Sequence, residues 1–127
     1  MTQLARQAAP WVPPLALMAL IFALSSMPAD QEDHGILYIA SRKLAHFAEY
    51  ALLVALWWRA LRTKVADRRA MALALAITVL YAVTDELHQT FVSGRAGKPL
   101  DVGIDTAGAL TAVWLIARNR TRRRVGA

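Results

Sequence analysis

The sequence predicts an all-α fold, a bundle of four transmembrane helices with both termini cytoplasmic. Three observations carry that expectation. The 127 residues are 57% hydrophobic and their mean hydropathy is +0.34, too apolar for an ordinary soluble domain. Apolar stretches recur four times, separated by short connections rich in charge, glycine or proline. The basic residues gather at 59–69 and 118–124, beside apolar runs.

Length allows one domain, residues 1–127. There is no cysteine, which removes disulfides and thiolate chemistry. The net charge of +6 could signal nucleic acid, but that requires a soluble fold with a basic surface. Clusters that flank apolar runs fit a membrane topology instead, so no nucleic-acid partner is expected.

The first helix is predicted over 12–27. Pro10, Pro13 and Pro14 sit at its entry, where a missing N–H costs least. The stretch outruns a signal-peptide core, has only Arg6 before it, and ends in Ser25-Ser26-Met27-Pro28 rather than a small-x-small site. It reads as a retained helix. The first connection, 28–41, carries Asp30, Glu32 and Asp33.

The second helix is predicted over 42–61, the third over 69–92 and the fourth over 101–118. A spanning helix needs ~20 residues at 1.5 Å rise. The charge-free runs, 50–58, 70–84 and 106–117, are all shorter. Spanning length takes in Lys43, His46 and Glu49 in the second helix, Asp85 and Glu86 in the third, and Asp101 and Asp105 in the fourth. Each such group costs on the order of 2.5–3.5 kcal/mol at a helix centre. The connection 62–68 is short and basic, and 93–100 holds Gly94, Gly97 and Pro99.

Orientation follows from the Lys/Arg bias. The connection 62–68 and the C-terminal tail face the cytoplasm, and with four spans so does the N-terminus. Arg95 and Lys98 oppose the rule, two against five in each inner cluster. Trp11, Trp57, Trp58 and Trp114 fall near helix ends, where amphipathic rings prefer to sit. The charged ends of three helices then converge on one polar layer at the outer leaflet, with Arg95 above it.

Helical geometry groups these residues further. Lys43, His46 and Glu49 share an arc of ~120° at ~100° per residue, and Tyr50 falls nearly above Lys43. Asp85 and Gln89 are i,i+4, while Glu86 lies ~100° away. Asp101 and Asp105 are i,i+4, and Gly108 and Ala112 continue their stripe, which predicts close packing with both aspartates buried against protein. One reading is a pocket for an anionic or polyhydroxyl headgroup, a metal ion or a proton path. The other is an ion-pair network, Lys43 and Arg95 against Glu49, Asp85, Glu86, Asp101 and Asp105, that locks short helices together. Intramembrane charge favours function by default, and both can hold.

His46-x-x-Glu49 has metal-pair spacing but reverses the usual Glu-x-x-His order, and only one such pair exists. No metal and no cofactor are therefore expected. His34 lies in a polar loop, and His88 is expected to point to lipid headgroups. Adjacent Asp85 and Glu86 could share a proton if buried, though a solvated helix end is commoner.

The run Arg42-Lys43-Leu44-Ala45-His46-Phe47-Ala48-Glu49-Tyr50 resembles a signature of the VanZ-like family of small bacterial membrane proteins. So do Thr84-Asp85-Glu86-Leu87-His88-Gln89-Thr90-Phe91-Val92, then Gly94-Arg95, then Asp101-Val102 through Asp105-Thr106-Ala107-Gly108. Ser25-Ser26-Met27-Pro28 is also similar, and the resemblance spans 24–115. It implies four transmembrane helices in the bacterial inner membrane and a link, through the family's namesake, to teicoplanin-type glycopeptide resistance. The signature residues it carries over are Lys43, His46, Glu49, Asp85, Glu86, Gln89, Arg95, Asp101 and Asp105. Asp105 stands where the family often has Asn, adding a negative charge.

The expectation is thus an outer-leaflet site for a cell-envelope headgroup or glycopeptide. Lys43 and Arg95 would meet phosphate or carboxylate, and the carboxylates and Gln89 would meet hydroxyls or amines. Membrane lipids are the standing partners, with a homo-oligomer as a further expectation. The alternatives are an enzyme on a lipid-linked substrate, with Glu49 or Asp85 as base and His46 as acid or metal ligand, and a structural or partner subunit.

Overall fold

The computed structural model describes residues 2–27, 35–92 and 98–126, all helix and turn without a strand. Helix α1, Gln3–Ala8, is capped by Thr2, whose hydroxyl oxygen accepts from the Ala5 N–H at 3.3 Å. A 3₁₀ turn at Ala9–Trp11, centred on Pro10, leads into α2, Val12–Ser26. Then follow α3, Gly35–Leu61, α4, Asp67–Gln89, and α5, Pro99–Val125.

The short helix α1 is not among the expected elements, α4 and α5 each begin two residues early, and the larger differences from the sequence expectation are three. Helix α3 begins at Gly35, seven residues before the expected 42. Nothing in Ile36-Leu37-Tyr38-Ile39-Ala40 breaks a helix, and Gly35, at φ 77°, makes the left-handed entry that a side chain would strain. The rest of the first connection, 28–34, lies outside the described residues. Helix α4 stops at Gln89 rather than 92, where Thr90, Phe91 and Val92 close i→i+3 turns onto Leu87, His88 and Gln89. Helix α5 runs on through the basic tail to Val125. Arginine forms helix well and favours the negative C-terminal end of the dipole.

Cross-helix contacts fix the arrangement. Lys43 meets Asp101 and His46 meets Asp105, so α3 and α5 run parallel. Ser25 meets Gln89 and Met18 meets Tyr81, so α2 and α4 run parallel to each other. Trp58 donates to Asp67 at 3.0 Å, which makes α4 antiparallel to α3. The order is up-down-up-down, with α3 central and packed along both α4 and α5. All described sequence-predicted site residues therefore gather at one end of the bundle, and the basic clusters at the other.

Among the described residues, three segments are long and apolar enough to cross a membrane: Gln3–Ser26, Asp67–Gln89 and Pro99–Val125. Helix α3 has the length, at 27 residues, but Arg42, Lys43, His46, Glu49 and Arg59 depress its hydropathy.

Burial is inverted relative to a water-soluble bundle. Buried positions include Ala60, Ala70, Ala74, Ala82 and Ala109 together with Ser25, Thr78, Asp85, Glu86, Gln89 and Asp105. Leu15, Leu20, Phe22, Leu44, Leu80, Leu110 and Trp114 are exposed. Around a core of Ile21, Tyr50, Leu53 and Val54, small residues let helices approach while many large ones face outward, the pattern expected where the solvent is lipid. Trp57 departs from the expected interfacial role. It is buried in the core and meets Trp11 edge-on at 6.3 Å. At the basic end, Asp67 accepts from Trp58 and pairs with Arg120, tying α3, α4 and α5 together.

Candidate functional site

Two contacts between α3 and α5 build one wall of the polar layer. Lys43 Nζ lies 3.1 Å from Asp101 Oδ1, both partly exposed. One turn deeper, His46 Nδ1 lies 3.4 Å from Asp105 Oδ1, and Asp105 is buried. The parallel register that pairs them rests on Gly108. A Cβ there would overlap the carbonyl oxygen of Phe47, so only glycine lets the two backbones come this close. The expectation of two buried aspartates holds for Asp105 alone. Asp101 sits in the first turn of α5, where it and Lys43 remain in contact with the surface.

The facing wall comes from α2 and α4. Gln89 Nε2 donates to Ser25 Oγ at 3.3 Å and to Asp85 Oδ2 at 3.4 Å. Tyr81, one turn before Asp85, donates its hydroxyl to the Met18 carbonyl. Glu86 turns toward α5 and accepts the Lys98 backbone N–H. His88 does not point to lipid headgroups as expected. Its Nε2 lies 2.9 Å from Ser26 Oγ and its ring stacks on Phe22 at 4.6 Å. Because the Ser26 hydroxyl donates to the Phe22 carbonyl at 2.7 Å, His88 must be the donor in that pair.

The layer is short of partners. Buried Tyr50 Oη and Asp85 Oδ1 have no hydrogen bond among the described residues. His46 Nδ1 and Asp105 Oδ1 stand at ion-pair distance but without hydrogen-bond alignment, so they also remain unsatisfied. Buried polar atoms of this kind ordinarily find a partner, and each missing one costs about 1–3 kcal/mol. Glu49 is half-buried beside them, within electrostatic reach of His46, Asp85 and Asp105. Five carboxylates thus share a layer with Lys43 and His46. Arg95, the second cation of the sequence reading, lies outside the described residues. No group of three or more His, Asp or Glu residues among the described ones is arranged to hold a metal ion.

The structure places Lys43, His46, Glu49, Asp85, Glu86, Gln89, Asp101 and Asp105 at one end. Ser25 and Tyr81 join them, although neither stands out in the sequence as a site residue. Tyr81 was findable, since 81, 85 and 89 form an i,i+4 stripe on α4. Ser25 was visible as a motif but not as a partner of Gln89. An apolar groove of 330 Å³ opens between α4 and α5, lined by Val83, Glu86, Leu87, Thr90, Pro99 and Val102.

A bundle with small and polar residues inside, large apolar residues outside and a polar layer at one end defines a membrane protein. The VanZ/LLP1 family model matches residues 10–120, so the chain belongs to the VanZ/LLP1 family. Comparison with curated proteins and with solved structures finds no match.

Proposed function

We propose that the chain crosses the bacterial inner membrane four times, with both termini cytoplasmic, and that its polar layer binds a headgroup at the outer leaflet. The ligand class is a cell-envelope lipid or glycan headgroup, or a glycopeptide antibiotic. The observation that carries this reading is the set of buried atoms left without a hydrogen bond at this end, Asp85 Oδ1, Tyr50 Oη and Asp105 Oδ1, the last at ion-pair distance from His46. A bundle that used its charges only as a clamp would satisfy them. Lys43 is already committed to Asp101, so the unused capacity consists mainly of acceptors. It suits hydroxyls and amines of a ligand better than an anion. The apolar groove beside Glu86 offers room for a lipid tail next to that headgroup.

A second reading, an enzyme acting on a lipid-linked substrate, draws support from one contact. A small rotation would bring the Asp105 carboxylate, 3.4 Å from His46 Nδ1, into hydrogen-bond alignment, where it would orient the imidazole to exchange a proton.

Native mass spectrometry of the chain purified from membranes, beside Asp85→Asn and Glu49→Gln, tests the binding reading. Wild type should carry a bound molecule that both variants lose, and its mass identifies the chemistry. Identical ligand-free masses for all three chains would refute the proposal.

A further inference from the structure

A second groove, of 540 Å³, lies at the opposite end of the bundle between the start of α4 and the end of α5. Its charged lining is Arg68, Arg120 and Arg124, and its floor is Met71, Ala72, Leu75 and Ala117. No carboxylate lines it. Asp67, which precedes Arg68 in the chain, is already paired with Arg120. Arg68 and Arg124 are exposed and form no ion pair among the described residues. The hydroxyl of Thr121 donates to the Ala117 carbonyl at 3.1 Å, which leaves donation into the groove to the guanidiniums.

We propose that this groove is a binding site for an anionic phospholipid. The headgroup phosphate sits between Arg68 and Arg124, and one acyl chain lies along Met71, Leu75 and Ala117. Charge complementarity selects the occupant. Two unpaired guanidiniums suit a phosphodiester, which takes planar, paired donors. The apolar floor runs from the charged rim into the span of the helices, as a phospholipid runs from headgroup to tail. Basic pockets between membrane helices recognise anionic headgroups on this physical basis. The site is separate from the polar layer, and its test does not depend on what that layer binds.

The test is native mass spectrometry of the full chain in neutral detergent, titrated with dioleoyl phosphatidylglycerol or dioleoyl phosphatidylcholine. Wild type should retain one phosphatidylglycerol in preference to phosphatidylcholine. Removing both groove guanidiniums in Arg68→Gln/Arg124→Gln should weaken that binding about 30-fold, from the attraction of each near an anionic headgroup. The charge-matched control Arg122→Gln/Arg123→Gln, outside the groove, should change it less than about threefold, because attraction to distant exposed charge is screened. Ala72→Trp, which obstructs the floor and keeps every charge, should also weaken retention. Equal binding of the two lipids, equal loss in both double variants, or no loss in Arg68→Gln/Arg124→Gln overturns the proposal. So does inorganic phosphate that binds as tightly as the lipid, or an RNA oligomer retained in its place.

Discussion

Gly108 sets the distance between α3 and α5, and through it the pairing of His46 with Asp105. A methyl group at 108 would meet the Phe47 backbone, which cannot swing aside as a side chain can. Gly108→Ala should therefore destabilise the protein by about 1–3 kcal/mol, the usual penalty for overpacking. At Gly103, on the same helix, an added Cβ meets nothing within 4 Å. Gly103→Ala should leave thermal stability unchanged or raised. Heating both variants in detergent and following the surviving monodisperse fraction checks the pair, and equal losses would contradict the packing argument. The sequence made Gly108 legible, because it continues the stripe of Asp101 and Asp105 at helical spacing. It also made Asp105 legible as an inward group. It could not assign His88, since a residue at a helix end faces lipid or a neighbour according to where that neighbour lies. Here α2 supplies Ser26 and Phe22.

Among the elements, the four long helices and both ends of α2 were readable from hydrophobic runs, while the start of α3 and the end of α5 were not. Helix α3 starts early because apolar residues after Gly35 continue a helix that the preceding acidic stretch disguised as a loop. Helix α5 runs late because an arginine-rich tail reads as solvated coil, although arginine is a good helix former. Both misreadings come from treating charge as a loop signal. Whether α3 spans is the element-scale question, because composition alone does not carry it across. The chain has no cysteine, so single cysteines can report sidedness. With α3 and α4 both spanning, Thr63→Cys, in the turn between them, should resist a membrane-impermeant maleimide in intact cells and react after permeabilisation. Thr90→Cys, just past α4, should react in intact cells. Labelling of both positions, or of 63 alone, would contradict the four-span topology.

At the scale of the whole molecule, stability and function pull apart. The basic end is tied together by Asp67, Trp58 and Arg120, and the middle by alanine-rich packing around Tyr50, Leu53 and Val54. Four of the six buried side-chain atoms without a hydrogen bond among the described residues lie at the polar end, the other two being Trp57 Nε1 in the core and Asp67 Oδ2, which pairs with Arg120. That asymmetry was only half legible in the sequence. Spacing along each helix placed the carboxylates at one end, but how many find partners depends on interhelix geometry. A site kept ready for a ligand sacrifices stability that a structural clamp would keep. The thermal midpoint of ligand-stripped Asp85→Asn against wild type separates the two most directly. Asparagine preserves the acceptor facing Gln89 and removes the unpartnered charge. The ligand-site account predicts a midpoint equal to or above wild type. A fall equivalent to about 3–5 kcal/mol, the usual consequence of breaking a buried charge pair, would mean that Asp85 holds the helices together and would contradict it.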